Sequence, residues 1–301
     1  MPSARFSRRR FMALGVATGA AAALGGCAFE EPVRARPITK AQISYGLDPL
    51  QSGVLRAAKH VPQQHVVVLL HGGYWRTGWD RSAMEPLAED LARRGWATWN
   101  IGYRRVGDPG GGWPGTLEDV AAGIDHLATL QAEHDLDLSK VTVIGHSAGA
   151  QLAFWAAARK HLGAGAPGGA PAVSPAAAIS LSGVLDLAAA AQVTAFDGGE
   201  LAASTQALLG GAPDQVPDRY QMASPIDLVP LAVPQLLLHG SGDAKVPADQ
   251  SRLYGERAGQ VGDAIAFVEL PDVNHFDVIL LDRVWWSEVL RWLPDALGSP
   301  P

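Results

Sequence analysis

Val141-Thr142-Val143-Ile144-Gly145-His146-Ser147-Ala148-Gly149 carries a β-branched run straight into a Gly-x-Ser-x-Gly pentapeptide, and an Ala-rich stretch of helical composition follows to residue 160. A strand that passes into a helix this abruptly must bend sharply. The Ser at such a bend is held in a strained backbone conformation with its hydroxyl clear of the sheet. Residues two positions to either side crowd the strand and helix backbones, so they must lack side chains, and Gly145 and Gly149 meet that demand. The bend also sets Ser147 at a helix N-terminus, where free N–H groups and the dipole favour developing negative charge. The pentapeptide alone is a weak signal, since its residues are common. Its strand–turn–helix setting makes it a strong one.

Outward from this corner, short apolar runs at 66–70, 96–101, 141–144, 178–181, 236–238 and 264–270 alternate with stretches of helical spacing at 84–94, 117–133, 148–160 and 247–258. That alternation predicts βαβ units and a mostly parallel sheet. Most of the runs lack apolar/polar alternation, as expected of strands covered on both faces. Weaker strand candidates near Ile43 and Val54 predict an antiparallel entry edge. A last helix is predicted from about 278 to 293, where Val284, Trp285, Val289 and Trp292 recur at helical intervals. Two segments break the rhythm. Residues 161–175 are rich in Gly, Ala and Pro and read as a surface loop. Residues 186–230 are long for a crossover, and their Ala-rich pieces, parted by Gly198-Gly199, Gly210-Gly211 and Pro217, read as a small cap insertion rather than a second domain.

The 301 residues are 48% hydrophobic and 18% charged, a globular composition, and nine Trp, 34 Gly and 21 Pro exclude a disordered chain or a coiled coil. The formal charge of −6 understates the acidity of the body. Residues 1–26 hold Arg5, Arg8, Arg9 and Arg10 and no acid, which leaves 20 basic against 30 acidic residues in the remainder. A body with that balance repels polyanions, so nucleic acid is not an expected partner. A single Cys excludes an intrachain disulfide and any multi-cysteine metal site.

That Cys has a particular place. Ser7-Arg8-Arg9-Arg10-Phe11-Met12 precedes an uncharged apolar run over 13–26, too short for a stable membrane span, which needs roughly 20 apolar residues. A basic flank, a short apolar core and small residues at its end fit an export signal, and the Ser-Arg-Arg-x-Phe segment resembles a twin-arginine signal. Leu24-Gly25-Gly26-Cys27 resembles a bacterial lipobox, which implies lipid attachment at Cys27. The expected organisation is an export signal at 1–27, a tether at 28–41 and one folded domain at 42–301. The expected location is the cell envelope, with membrane contact only through the lipid.

A second motif, His71-Gly72-Gly73-Tyr74-Trp75, follows the run at 66–70. Together the two motifs resemble the α/β-hydrolase superfamily of serine esterases. The Tyr-Trp ending is similar to the kynurenine formamidase branch. The resemblance covers roughly 42–293 and implies an α/β-hydrolase fold with a mostly parallel, eight-stranded type of sheet flanked by helices. It also implies an oxyanion hole built from the N–H groups of Gly72, Gly73 and Ala148, since a tetrahedral intermediate needs backbone donors and side chains would block access to it. His71 is read as bracing the loop.

The family order of nucleophile, acid and base implies the remaining partners. His239-Gly240-Ser241-Gly242-Asp243-Ala244-Lys245-Val246-Pro247 resembles the acid turn and offers Asp243; Asp186 and Asp249 are rivals. Asn274-His275-Phe276 resembles the base turn and offers His275. Among the other histidines, His146 leaves the elbow in another direction, His239 braces the acid turn, and His126 and His134 lie on a helix face. No zinc-type spacing is present, and neither a metal nor another cofactor is expected.

Tyr74, Trp75 and Trp113 are the expected pocket walls, with Trp79 near them. Gly110-Gly111-Gly112 makes Trp113 a candidate flap. The expected activity is hydrolysis of a small-molecule carboxylic ester by a Ser-His-Asp acyl-enzyme route, because an exported enzyme meets environmental esters. The alternatives are an arylformamidase-like amidase for N-formyl aromatic amides, an acyltransferase, or an inactive hydrolase-fold binding protein.

Overall fold

In the computed structural model, which describes residues 37–59, 61–281 and 283–300, the chain runs β1 (Ile38–Ser44), β2 (Ser52–Ala58), β3 (Gln64–Leu70), α1 (Glu85–Arg93), β4 (Ala97–Ile101), α2 (Gly115–Asp125), α3 (Leu127–His134), β5 (Leu136–His146) and α4 (Ala148–Ala158). It continues through β6 (Ala177–Leu181), α5 (Leu187–Ala190), α6 (Glu200–Leu209), α7 (Pro217–Ala223), β7 (Gln235–Gly240), α8 (Asp249–Gln260), β8 (Ile265–Leu270) and α9 (Val284–Leu297). The expected export signal, Cys27 and most of the expected tether lie outside the described residues.

The strands form one sheet in the order β1-β2-β4-β3-β5-β6-β7-β8. β1 and β2 pair antiparallel with each other, and β2 pairs antiparallel with β4; every later pairing is parallel. Side chains alternate across a strand, so β3 divides its apolar run between two layers. Val66, Val68 and Leu70 join a core with Leu117, Val120, Leu152 and Phe154, while Val67 and Leu69 join one with Met84, Leu87, Leu91, Trp285 and Val289. All five are fully buried, which stabilises the fold by roughly 1.5–3 kcal/mol per side chain. This two-sided burial is why the run shows no period of two.

The helices follow the same logic. α1 carries Pro86 in its first turn, where a missing N–H costs nothing, and buries the stripe Leu87, Ala88, Leu91, Ala92. α4 is buried along its whole length, and its many Ala and Gly residues let it lie close on the sheet.

Three boundaries differ from the sequence expectation. β1 begins at Ile38, so 38–41 belong to the sheet and not to the tether; the ladder Ile38↔Ala58, Thr39↔Ala57 and the Thr39 Oγ1 bond to Ala57 O (3.1 Å) take them in. The stretch at 117–133 divides at His126 into α2 and α3. The last helix starts at Val284, because Leu280 and Arg283 are extended and only a 3-10 turn forms at Asp277–Ile279. Residues 186–230 do hold a set of short helices, α5 to α7, between β6 and β7. Among the described residues no helix is long and apolar enough to cross a membrane.

Candidate active site

The sharp bend after β5 is present. Ser147 has φ 56° and ψ −122°, a conformation that a side chain disfavours, and α4 begins at the next residue. A Cβ on Gly145 would overlap Gly149 O, and one on Gly149 would overlap Leu70 O and His71 O. Glycine is therefore required at both positions by backbone packing. Ser147 N donates to Leu181 O at the end of β6 (2.9 Å), which ties the bend to the next strand.

The expected acid and base turns follow β7 and β8. Gly242 N donates to Val273 O (3.1 Å), and Gly240 leaves room for Val273 O where a Cβ would collide with it. Asp243 is buried. Its Oδ1 accepts from Lys245 N (2.8 Å) and Val246 N (2.9 Å), and its Oδ2 accepts from His275 Nδ1 (2.7 Å). His239 Nε2 donates to Val246 O (3.0 Å) and stands 3.4 Å from Asp243 Oδ2, while its Nδ1 accepts from Ser251 Oγ (2.8 Å). Burial alone would raise the Asp243 carboxyl. The hydrogen bonds from His239 and His275 overcome it and hold the group well below the usual carboxylate range. His239 thus braces the acid turn, as its position at a strand end suggests. Asn274 Oδ1 shapes the base turn by accepting from Phe276 N (3.0 Å) and Asp277 N (3.1 Å).

The two corners meet through His146. Its Nε2 donates to His275 O (2.9 Å), and the two rings lie 4.7 Å apart. Ser147 is the next residue. Among the described residues no hydrogen bond joins Ser147 Oγ to His275, so the expected contact within bonding distance is made on the acid side of the imidazole only. Burial, and then the neighbouring His275, hold His146 neutral, with its pKa lowered to about 3.

Gly72 lies directly against Ser147: a Cβ there would stand 2.9 Å from Ser147 Cβ and 2.8 Å from His146 O. Among the described residues none of the N–H groups of Gly72, Gly73 and Ala148 is hydrogen-bonded. The last is the first residue of α4, whose opening N–H groups have no acceptor within the helix. His71 stacks on Tyr103 (4.3 Å), donates from Nδ1 to Gly72 O (2.8 Å), and is kept neutral by burial at about 4. It braces the loop.

The expected pocket walls need correction. Trp75 is 0% exposed and donates Nε1 to Gln151 Oε1 (2.9 Å) on α4, so it belongs to the core beneath the loop. Trp113 is partly buried, with its N–H on Leu208 O (2.7 Å) and the Arg219 guanidinium 6.0 Å over its ring. Its glycines are pinned rather than free, since Gly112 N donates to Thr116 Oγ1 (2.9 Å) and a Cβ on Gly111 would overlap Arg105 O. Tyr74 remains half-buried beside Gly72 and Gly73, and its hydroxyl donates to Asp197 Oδ2 (2.7 Å). The aromatic surface next to His275 is instead Trp79 stacked on Phe276 (5.7 Å, 9° between planes), 44% and 41% exposed.

The rival acids lie elsewhere in function. Asp186 caps α5 through Ala189 N (2.8 Å), and Asp249 opens α8 paired with Arg252. Nothing in the sequence reading singled out Asp197, Gln151 or the part that Asn274 plays in the base turn. The Asn-x-x-Asp spacing of Asn274 and Asp277 was a usable signal for the last; the bonds of Gln151, and that of Asp197 to Tyr74, are long-range. A groove of about 420 Å³ lies at the opposite edge of the sheet, between Ala57, Gln64 and Asp135, and includes none of Ser147, Asp243 or His275.

The BD-FAE family profile matches residues 54–257. Esterase LipQ of Mycobacterium tuberculosis is 30% identical over 217 residues, covering 71% of this chain and 50% of its own length. Esterase LipC of the same organism is 28% identical over 255 residues, covering 81% and 61%. The chain spans about half the length of the first curated relatives it matches. Among solved structures, esterase B of Lactobacillus rhamnosis superposes with a TM-score of 0.73 at 22% identity, over 87% of this chain and 86% of that one. A thermophilic esterase of Thermogutta terrifontis gives 0.68 at 20%, over 85% and 92%. At these identities the likeness is one of fold, and the fold shared is that of the α/β-hydrolases.

Proposed function

The chain belongs to the BD-FAE family, and from that premise we propose that it is a serine hydrolase that cleaves carboxylic esters through Ser147, His275 and Asp243. The observation that carries the reading is the 2.7 Å bond from His275 Nδ1 to a buried, ionised Asp243, at the same strand edge as a nucleophile bend whose neighbouring N–H groups are open. Engagement of Nδ1 as a donor leaves Nε2 with its lone pair. That tautomer takes the Ser147 proton as Oγ attacks the ester carbonyl, and Asp243 stabilises the imidazolium that results. Catalytic hydrogen bonds such as Ser147 Oγ to Nε2 tighten when substrate is bound.

The C–O double bond opens to an oxyanion that rests on the N–H groups of Gly72, Gly73 and Ala148. The leaving alkoxide takes the proton from His275 as the acyl-enzyme forms. Water, deprotonated by the same imidazole, then releases the acid. Esters stand ahead of N-formyl aromatic amides because the relatives carry esterase names. We also propose that the chain is exported and held to a membrane by a lipid on Cys27; replacing Cys27 by Ala should release it from the membrane fraction and abolish labelling with a fatty-acid probe.

The deciding experiment uses protein without residues 1–27. It should hydrolyse p-nitrophenyl acetate or butyrate and be labelled by a fluorophosphonate at Ser147. Ser147→Ala should reduce turnover by roughly 10⁴–10⁶-fold, and unimpaired hydrolysis would refute the nucleophile. N-formylkynurenine and a competing alcohol in the same panel test the amidase and acyltransferase alternatives.

A further inference from the structure

Three consecutive residues after β3 lie at positive φ: Gly73 (108°), Tyr74 (55°) and Trp75 (54°). Side chains disfavour that region, so the loop keeps its shape only where its surroundings hold it. One anchor is internal to the hydrolase core. Trp75 is buried against Gln151, Val106 N donates to Trp75 O (2.7 Å), and Arg76 N donates to Gly73 O (2.9 Å).

The other anchor comes from the insertion between β6 and β7. Asp197 sits at φ 46°, accepts from Leu201 N at the start of α6 (3.2 and 3.1 Å), and accepts the Tyr74 hydroxyl on Oδ2 (2.7 Å). A hydroxyl-to-carboxylate bond of this kind is shorter and stronger than a neutral one. The insertion is itself secured by two further bonds beyond Asp197. α6 holds Trp113 N through Leu208 O, and α7 accepts from Gln151 Nε2 at Ala223 O (2.9 Å).

We propose that the Tyr74–Asp197 hydrogen bond is a positioning latch, by which the insertion holds Tyr74, and through it the adjacent Gly73 N–H, where the oxyanion forms. The latch rests on the serine-hydrolase reading of the same site. Tyr74 and Asp197 are positioning residues; neither touches the reacting atoms. Burial, and then the hydrogen bond to Asp197 and its charge, push the Tyr74 phenol far above its ordinary range, so it remains a donor wherever the enzyme is folded. An oxyanion donor is engaged in the transition state more than in the ground state, so its displacement lowers kcat and leaves KM nearly alone.

The test is a set of four variants assayed with p-nitrophenyl butyrate, beside the rate of Ser147 phosphonylation by a fluorophosphonate. Tyr74→Phe should lower kcat about tenfold with KM changed by less than roughly twofold, and should slow phosphonylation in step. Asp197→Ala should match it, Asp197→Asn should recover most of the loss because its amide oxygen still accepts, and the double variant Tyr74→Phe/Asp197→Ala should be no worse than the single ones. If Asp197→Ala fails to fold for want of the α6 cap, Tyr74→Phe and Asp197→Asn decide. An unchanged kcat in Tyr74→Phe, a rise in KM alone, or additive losses in the double variant would overturn the latch. Activity that survives Ser147→Ala overturns the hydrolase reading instead, and so tells the two failures apart.

Discussion

The corner after β7 and the corner after β5 meet at one site and are built in opposite ways. At the acid corner the polar groups are saturated: Asp243 accepts two backbone N–H groups and the His275 ring, and His239 braces the turn from behind. At the nucleophile corner the backbone is strained at Ser147, and the N–H groups of Gly72, Gly73 and Ala148 have no acceptor among the described residues. On the proposed mechanism, the difference follows from the work of each. An acid–base pair needs one orientation and one tautomer, which hydrogen bonds fix. Oxyanion donors must be held in place yet unspent, so that they need no rearrangement when charge appears.

Breaking the saturated corner has the largest expected effect. Asp243→Asn keeps the shape but loses the carboxylate that selects the His275 tautomer, and kcat should fall by about 10⁴-fold in protein that still folds. A fall under tenfold would remove Asp243 from the triad.

The strained corner breaks through its glycines. A Cβ at Gly149 meets backbone oxygens of residues 70 and 71 that cannot yield, so Gly149→Ala should cost about 3 kcal/mol or more in urea unfolding and abolish turnover. Gly163→Ala, where nothing lies within 4 Å, is the matched control and should change neither.

Acid sharpens the contrast, because the histidines that brace the nucleophile corner are buried neutral. His71 is lowered from 6.5 to about 4 and His146 to about 3. Between roughly pH 6.5 and 4 the unfolded chain binds protons that the folded one refuses, so stability falls as pH falls through that window and is flat above it. At about 1.4 kcal/mol per pH unit, His71 alone accounts for about 3 kcal/mol. His71→Gln should flatten the dependence of Tm on pH there; a slope equal to the parent's would contradict the assignment.

The smallest effect concerns Trp113. Packed under Arg219 and tied to Leu208, it supports the insertion, and Trp113→Ala should lower Tm by about 2–4 °C while leaving acyl-chain preference unchanged. A shift in preference without loss of stability would restore it as a pocket wall.

Much of this site was legible because its parts are local. A β-branched run followed by glycines and a polar residue states a strand, its exit and what stands at the exit, and the corners at 71–73 and 145–149 formed at strand ends where that grammar put them; the corners at 239–247 and 274–276, which the family resemblance implied, also follow strands. The aromatic residues were not legible in the same way. Trp75 and Trp79 are four positions apart in one loop, yet one is fully buried on Gln151 and the other is stacked in the open on Phe276. Composition cannot tell which way a loop side chain turns. Nor could it tell that Ile38 joins the sheet, since that depends on Ala58 lying opposite.

By itself the sequence determined where this chain must bend and which positions must go without side chains, because steric demands act between residues a few bonds apart. Tertiary structure alone decided that His146 would bond the carbonyl of His275, 129 residues on, and that Asp197 would receive the hydroxyl of Tyr74 across 123. Such contacts are chosen by strand order and by the packing of one layer on another. No local stretch of chain encodes them.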